Sequence, residues 1–263
     1  MPAKLLLRLI ALGYLALLIL VPTGTIVWRS LGSGIGAAWA SITTPDSVHA
    51  IWLSVLLVLI AVPLNAVFGV LCALLLVRHD FPGRAILGAL IDLPLSVSPV
   101  VVGLALILAY GQTGWFGAWL QAHGLQVIFA LPGMALATMF VSLPFVAREV
   151  IPVLKEIGTD AEQAAQTLGA SSFQTFRRIT LPAIAAGLGY GIVLATARSL
   201  GEIGAVAVVS GRLVGQTETL TLVVQDRFEN FDLTGAYTAA LLLALMAVVT
   251  LLAMNALAPK ERI

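Results

Sequence analysis

The chain has 263 residues, 60% of them hydrophobic and 10% charged, whereas an average soluble protein is roughly 45–50% apolar and about 25% charged. That composition predicts a membrane protein. Lys and Arg number 14 against 13 Asp and Glu, a formal charge of +1, so no overall field draws in a polyanion and the balance argues against a nucleic-acid role. The single cysteine, Cys72, excludes an intrachain disulfide and a cysteine metal cluster. The lysines, Lys4, Lys155 and Lys260, follow Ala3, Leu154 and Pro259, so no Gly-Lys-Ser/Thr phosphate loop exists. His49, His79 and His123 stand far apart near the ends of apolar runs and read as interfacial polar residues rather than a metal site. No cofactor is expected in the chain itself.

A bilayer core about 30 Å thick takes roughly 20 apolar residues per helix. Six stretches meet that length: Ile10 to Trp28, Ile51 to Val77, Leu93 to Gln112, Val127 to Val146, Ala183 to Val209 and Leu233 to Leu257. The first follows Lys4 and Arg8 and precedes Ala38-Trp39-Ala40. Its apolar run is too long, and that triplet too distant, for a cleaved signal peptide, so a retained anchor is expected. Lys4, Arg8, Arg78, Arg84, Arg148, Lys155, Arg177, Arg178, Lys260 and Arg262 fall on one side of the spans; the other has Arg29, Arg212 and Arg227. The basic side is the cytoplasmic one. The expectation is an all-α integral membrane protein, one domain over 1–263, with six transmembrane helices and both termini cytoplasmic.

Between the second and third spans, an apolar stretch runs from Arg84 to Asp92. Lying along the cytoplasmic surface, it puts Asp92 at the interface; the alternative is a mid-membrane acid. The third span opens Leu93-Pro94-Leu95-Ser96-Val97-Ser98-Pro99, where two prolines remove backbone donors and kink or open the helix. Ser96 and Ser98 are candidates to line a route by hydroxyl donation, or to bond a neighbouring carbonyl. Arg198 lies inside the fifth span with Glu202 four residues on, a spacing that lets them pair across one turn. A lone Arg at a helix centre costs roughly 2.5–3.5 kcal/mol on insertion scales, so a partner or a polar cavity is required. The pair either locks the span to its neighbours or tunes an anion route.

The longest cytoplasmic connection, 147–182, is too polar to cross a membrane. Within it Thr159 and Glu162 have capping-box spacing, and Gly169 stands about two and a half turns later, where a helix ends. Ala161, Ala164, Ala165 and Leu168 fall at i, i+3, i+4, i+7, giving a small apolar face, while Glu162, Gln163 and Gln166 supply hydrogen-bonding groups opposite. The pattern fits a helix lying on its own bundle as well as one docked into a partner.

Gln163-Ala164-Ala165, three residues, Gly169, nine residues, then Ile179-Thr180-Leu181-Pro182 resembles the EAA loop of ABC importer permeases. The motif's first position, usually Glu, is Gln163 here, so no acidic contact carries over to it. Phe81-Pro82-Gly83-Arg84, the stretch from Asp92 to Val101 and the stretch from Ala197 to Ala205 resemble the sulfate and molybdate branch of these permeases. Val208-Val209-Ser210-Gly211-Arg212 and Gly215 to Leu220 are most similar to W-type subunits of sulfate/thiosulfate importers. The similarity runs from the second span to the sixth. It implies a type I ABC importer permease fold, with Gln163, Ala164, Ala165, Leu168, Gly169, Leu181 and Pro182 forming the ATPase-coupling loop. The implied partners are a homologous T-type permease, two cytoplasmic ATPase subunits that bind the ATP and Mg²⁺, and a periplasmic sulfate-binding protein. A homodimeric molybdate/tungstate permease is the alternative within the branch. An ion-coupled secondary transporter is the alternative outside it, and predicts more intramembrane acids and a repeat of broken helices.

Overall fold

The computed structural model describes residues 2–257, with side chains from 4 to 252; Lys260 and Arg262, used above for orientation, lie outside the described residues. All regular structure among these residues is helical: α1 (Pro2–Leu31), α2 (Ile35–Ile42), α3 (Pro45–Arg78), α4 (Arg84–Ser96), α5 (Pro99–Tyr110), α6 (Gly117–Ala122), α7 (Leu131–Ile157), α8 (Asp160–Thr167) and α9 (Ser172–Thr175). A π turn (Phe176–Thr180) leads into α10 (Leu181–Ala183), α11 (Ala185–Leu200), α12 (Gly204–Val209), α13 (Leu220–Glu229) and α14 (Leu233–Leu257).

Four helices are long and apolar enough to cross a bilayer, within α1, α3, α7 and α14. Two bent pairs reach that length together: α4 with α5, bent by 113°, and the segment Ser172–Ala183 with α11, bent by 69°. The third expected span is therefore two helices rather than one kinked helix. Pro99 cannot donate to a continuing turn and Ser98, its predecessor, is extended (φ −60°, ψ 133°), as the residue before a proline tends to be. The fourth expected span starts four residues later and runs 11 residues further, to Ile157. At 1.5 Å per residue α7 is about 40 Å long, longer than a core of about 30 Å. The fifth breaks at Gly201-Glu202-Ile203 instead of continuing to Val209.

The centre is the α3–α7 pair, with α11 packed across both. Glycines set the approach. A Cβ on Gly69 would sit 2.8 Å from Val146 Cβ, and one on Gly191 2.8 Å from Val146 Cα, so the three helices converge on one turn of α7 through small residues. Asn65, fully buried on α3, donates to the Met139 carbonyl (2.8 Å) and to Ser142 Oγ (2.9 Å). Cys72 is buried filler against Leu76, Ile91 and Ala147. α1 lies outermost, bound to α14 through the buried Ser30–Thr238 hydroxyl pair at 3.1 Å. On the far side, Arg227 of α13 donates to Ser41 Oγ and Ser47 Oγ, both at 2.7 Å, and so fastens α13 to the α2–α3 turn.

Candidate functional site

α8 forms where the sequence places a helix, but by different contacts. Its C-terminus closes as expected. Gly169 takes φ +86°, its N–H bonds the Gln166 carbonyl (2.9 Å) and the Ala170 N–H bonds the Ala165 carbonyl (3.0 Å), the paired closure of a left-handed C-terminal cap. At the N-terminus the expected Thr159–Glu162 capping box is not made. Thr159 Oγ1 instead accepts from Gln163 Nε2 (3.0 Å), and Glu162 turns inward.

There Glu162 meets Arg78, the last residue of α3. Arg78 Nε donates to Glu162 Oε2 (3.0 Å) and Nη2 to Oε1 (3.3 Å), while Oε1 also accepts from the Thr180 hydroxyl (2.8 Å). The same guanidinium donates to the carbonyls of Leu154 (3.0 Å) and Gly158 (2.7 Å), filling acceptors that the end of α7 leaves open. The two side chains are only 12% and 16% exposed. One arginine thus ties the ends of α3 and α7 to α8, and through Thr180 to the π turn. Sequence reasoning missed this clamp: Arg78 and Glu162 are 84 residues apart, and each had a sufficient local reading, one as a topology marker and the other as a cap.

The other face of α8 is uncovered. Ala161, Gln163, Ala164 and Leu168 are exposed, Leu168 by 89%, and Ala165 is half-buried. The small apolar face points away from the bundle, so the helix does not lie on its own protein by that face. Downstream, Ser171 and Gln174 form a reciprocal capping box that opens α9. The π turn follows, then Leu181, half-buried, and Pro182, exposed. Pro182 has no N–H to give to a regular turn, and the chain bends at the fully buried Ile184 into α11.

The second group of candidate residues lies where the helix breaks meet. A Cβ on Gly204 would fall 2.9 Å from Pro99 Cβ, and one on Gly103 2.7 Å from Val208 Cβ and 2.9 Å from the Ala205 carbonyl. The start of α5 and the α11–α12 break therefore stand side by side. Arg198 and Glu202 do pair, but Glu202 belongs to the break rather than to a continuous helix. Its Oε1 accepts the Ala205 N–H (2.8 Å), capping α12, and its carbonyl accepts from the Thr221 hydroxyl (2.9 Å). Arg198 Nη1 lies 2.7 Å from Oε2 without the alignment of a hydrogen bond. The Glu202 side chain is 2% exposed and that of Arg198 32%, so the cation is the accessible member. Ser96 and Ser98 are both exposed, with Ser98 at the N-terminus of α5. Asp92 is a half-exposed partner of Arg148 (2.8 Å). Outside the spans, Glu218 is 6% exposed, and burial, with Asp226 and Asp46 nearby, raises its carboxyl above the ordinary 4.5 against the pull of Arg227 and Arg212.

Paired broken helices and an uncovered projecting helix stand on a long apolar bundle. Residues 65–263 match the family described as binding-protein-dependent transport system inner membrane component, and the chain belongs to that family. It is 49% identical over 248 residues to the sulfate transport system permease protein CysW of Synechocystis sp., covering 94% of this chain and 90% of that one. It is 36% identical over 247 residues to the sulfate transport system permease protein CysT of Escherichia coli K12, covering 94% and 89%. In fold it matches a chain of a bacterial alginate ABC transporter solved with an alginate pentasaccharide-bound periplasmic protein. There the TM-score is 0.81 at 18% identity, over 98% of this chain and 94% of that one.

Proposed function

We propose that the chain is the transmembrane permease subunit of an ATP-driven importer of sulfate and thiosulfate. It would be seated in the inner membrane of a prokaryote as a single domain, with six spans and both termini in the cytoplasm. The carrying observation is the near-half identity to a CysW protein along nine-tenths of both chains. The lower identity to CysT supports the W-type position and a T-type permease as the second half of the pore, over a homodimer. Two ATPase subunits beneath hold ATP and Mg²⁺, and a periplasmic binding protein delivers the anion. The two bent pairs, counted as one span each, bring the number to six, in agreement with the alternation of basic residues.

The uncovered surface of α8 is suited to a groove on the ATPase, contacted through Gln163, Ala164, Ala165 and Leu168. Gly169 stops the helix so that Leu181 and Pro182 can turn the chain into α11. Closure of the ATPase pair moves α8 and rotates the two permease bundles to expose the route to each side in turn. Carrying a dianion into a negative-inside cell opposes the potential by about 4.6 kcal/mol per 100 mV, from roughly 2.3 per charge, so an external energy source is required. Arg198, with Ser96 and Ser98, faces the anion at the helix breaks, and Glu202 both caps α12 and keeps the cation from trapping a dianion. The test is to purify the tagged chain in mild detergent and identify the co-purifying subunits by mass spectrometry. An ATPase with a second, non-identical permease is expected; absence of any ATPase, under conditions that keep a reference importer whole, would overturn the proposal.

A further inference from the structure

We propose that the trough between α4 and α7, at the basic end of the bundle, binds one anionic phospholipid, with its phosphate between Arg84 and Lys155 and an acyl chain along Leu76 and Ile151. Two adjoining cavities make up the trough. One of about 470 Å³ carries Arg84 and Lys155 at its rim over an apolar floor of Leu76, Val77 and Ile151. The other, of about 210 Å³, shares Leu76 and Ile151 and continues past Gly88 and Ile91. A Cβ on Gly88 would have no neighbour within 4 Å, so the absence of a side chain there keeps the channel open.

The charges are distributed as a lipid requires. At the smaller cavity Arg148 is matched by Asp92 at 2.8 Å. At the larger cavity Lys155 has no ion-pair partner among the described residues, and Arg84 pairs only with Asp80 among them, whose side chain is 94% exposed. An exposed pair of that kind is worth little and yields readily to a phosphate. Positive charge therefore concentrates at the rim, and the floor leading away from it is apolar. Basic recesses between membrane helices on the cytoplasmic side suit anionic headgroups, whereas inorganic phosphate would leave the apolar floor unused. Along the outer face of α4, Ile86, Leu90 and Leu93 are exposed by 66%, 55% and 42% at i, i+4, i+7, an apolar stripe that hydrocarbon can cover.

The experiment is native mass spectrometry of the purified complex titrated with phosphatidylglycerol, phosphatidylcholine of the same chains, or inorganic phosphate. It compares wild type with Arg84→Gln/Lys155→Gln and with Gly88→Leu, which fills the channel but keeps both charges. Wild type is expected to prefer phosphatidylglycerol. The double variant should bind it about 30-fold more weakly, at the worth of two basic groups near a membrane anion, and Gly88→Leu should also lose it. Equal affinity for the two lipids, or unchanged phosphatidylglycerol binding in both variants, would overturn the proposal. So would displacement of the lipid by inorganic phosphate alone, which would mark a headgroup-only site. Loss of a co-purifying subunit from the double variant with lipid binding intact would mark a protein-docking surface and equally overturn it.

Discussion

Replacing Arg78 by Ala removes four hydrogen bonds at once, two to Glu162 and one each to the Leu154 and Gly158 carbonyls. Glu162 keeps Thr180 as its neighbour, so the loss is less than stranding a bare charge. Breaking a fully buried pair costs about 3–5 kcal/mol and an exposed one about 0–1. With side chains 12% and 16% exposed, the clamp belongs between these limits and nearer the first, at about 2–3 kcal/mol. That energy holds α8 to α3 and α7, so its removal should raise the open population of α8 by roughly 30- to 150-fold. Amide hydrogen exchange of residues 160–167 in the assembled complex should accelerate by that factor, while the α3–α7 core stays protected. Sulfate transported per ATP hydrolysed should fall, because a loosened α8 moves without carrying the bundle. Unchanged exchange in 160–167 together with unchanged coupling would show that Arg78 does not hold α8 to the bundle, whereas Thr180→Val should cost only about 1 kcal/mol and shift both readouts slightly.

Gly169→Val forces a β-branched residue to φ +86°, a strain of roughly 1–2 kcal/mol. A Cβ there meets no atom within 4 Å, so the effect is conformational; coupling should fall in Gly169→Val and fall less in Gly169→Asn, and full coupled transport in the valine variant would count against the role of this cap. Gly103→Ala places a Cβ 2.7 Å from Val208 Cβ and should destabilise the α5–α12 contact by about 1–3 kcal/mol, seen as a lower thermal midpoint of the purified protein; an unchanged midpoint would show that the two helix breaks are not held together this way. Arg198→Gln should reduce sulfate uptake in a complex that still assembles, and unchanged uptake would remove Arg198 from the route. For Glu218 the folded carboxyl is raised above its ordinary value, so the folded state holds more protons and stability declines as pH rises from about 4.5 through the raised value. Glu218→Gln should therefore stabilise the protein near neutral pH, by a margin that shrinks on acidification; a gain independent of pH would contradict that sign.

What the sequence made legible follows the range of the physics involved. Span existence rests on local hydrophobicity: α14 coincides with its expected stretch, and α1 and α3 cover theirs and extend beyond both ends. The Gly169 stop rests on one residue's backbone freedom, and it appears where expected. The prolines announce a disturbance before Pro99 but not its size: the bend between α4 and α5 is 113°, and the start of α5 packs closely on α12 through Gly204 and Gly103, a long-range contact that no local pattern records. The break at Gly201–Ile203 was hidden for a related reason. Glu202 was legible as the partner of Arg198 at i+4, whereas its role as the cap of α12 requires the chain to have turned already. Arg78–Glu162 is the clearest omission, since a contact across 84 residues leaves no periodic trace and each partner had a plausible local function.

If, as proposed, the chain passes sulfate only when a separate ATPase moves it, the decisive experiment is uptake of radiolabelled sulfate into proteoliposomes holding the complete purified complex, with the loaded binding protein outside the vesicles and ATP trapped within. Accumulation should require ATP and the binding protein and should survive dissipation of every ion gradient. Accumulation that persists without ATP and collapses with an ion gradient would mark an ion-coupled carrier instead.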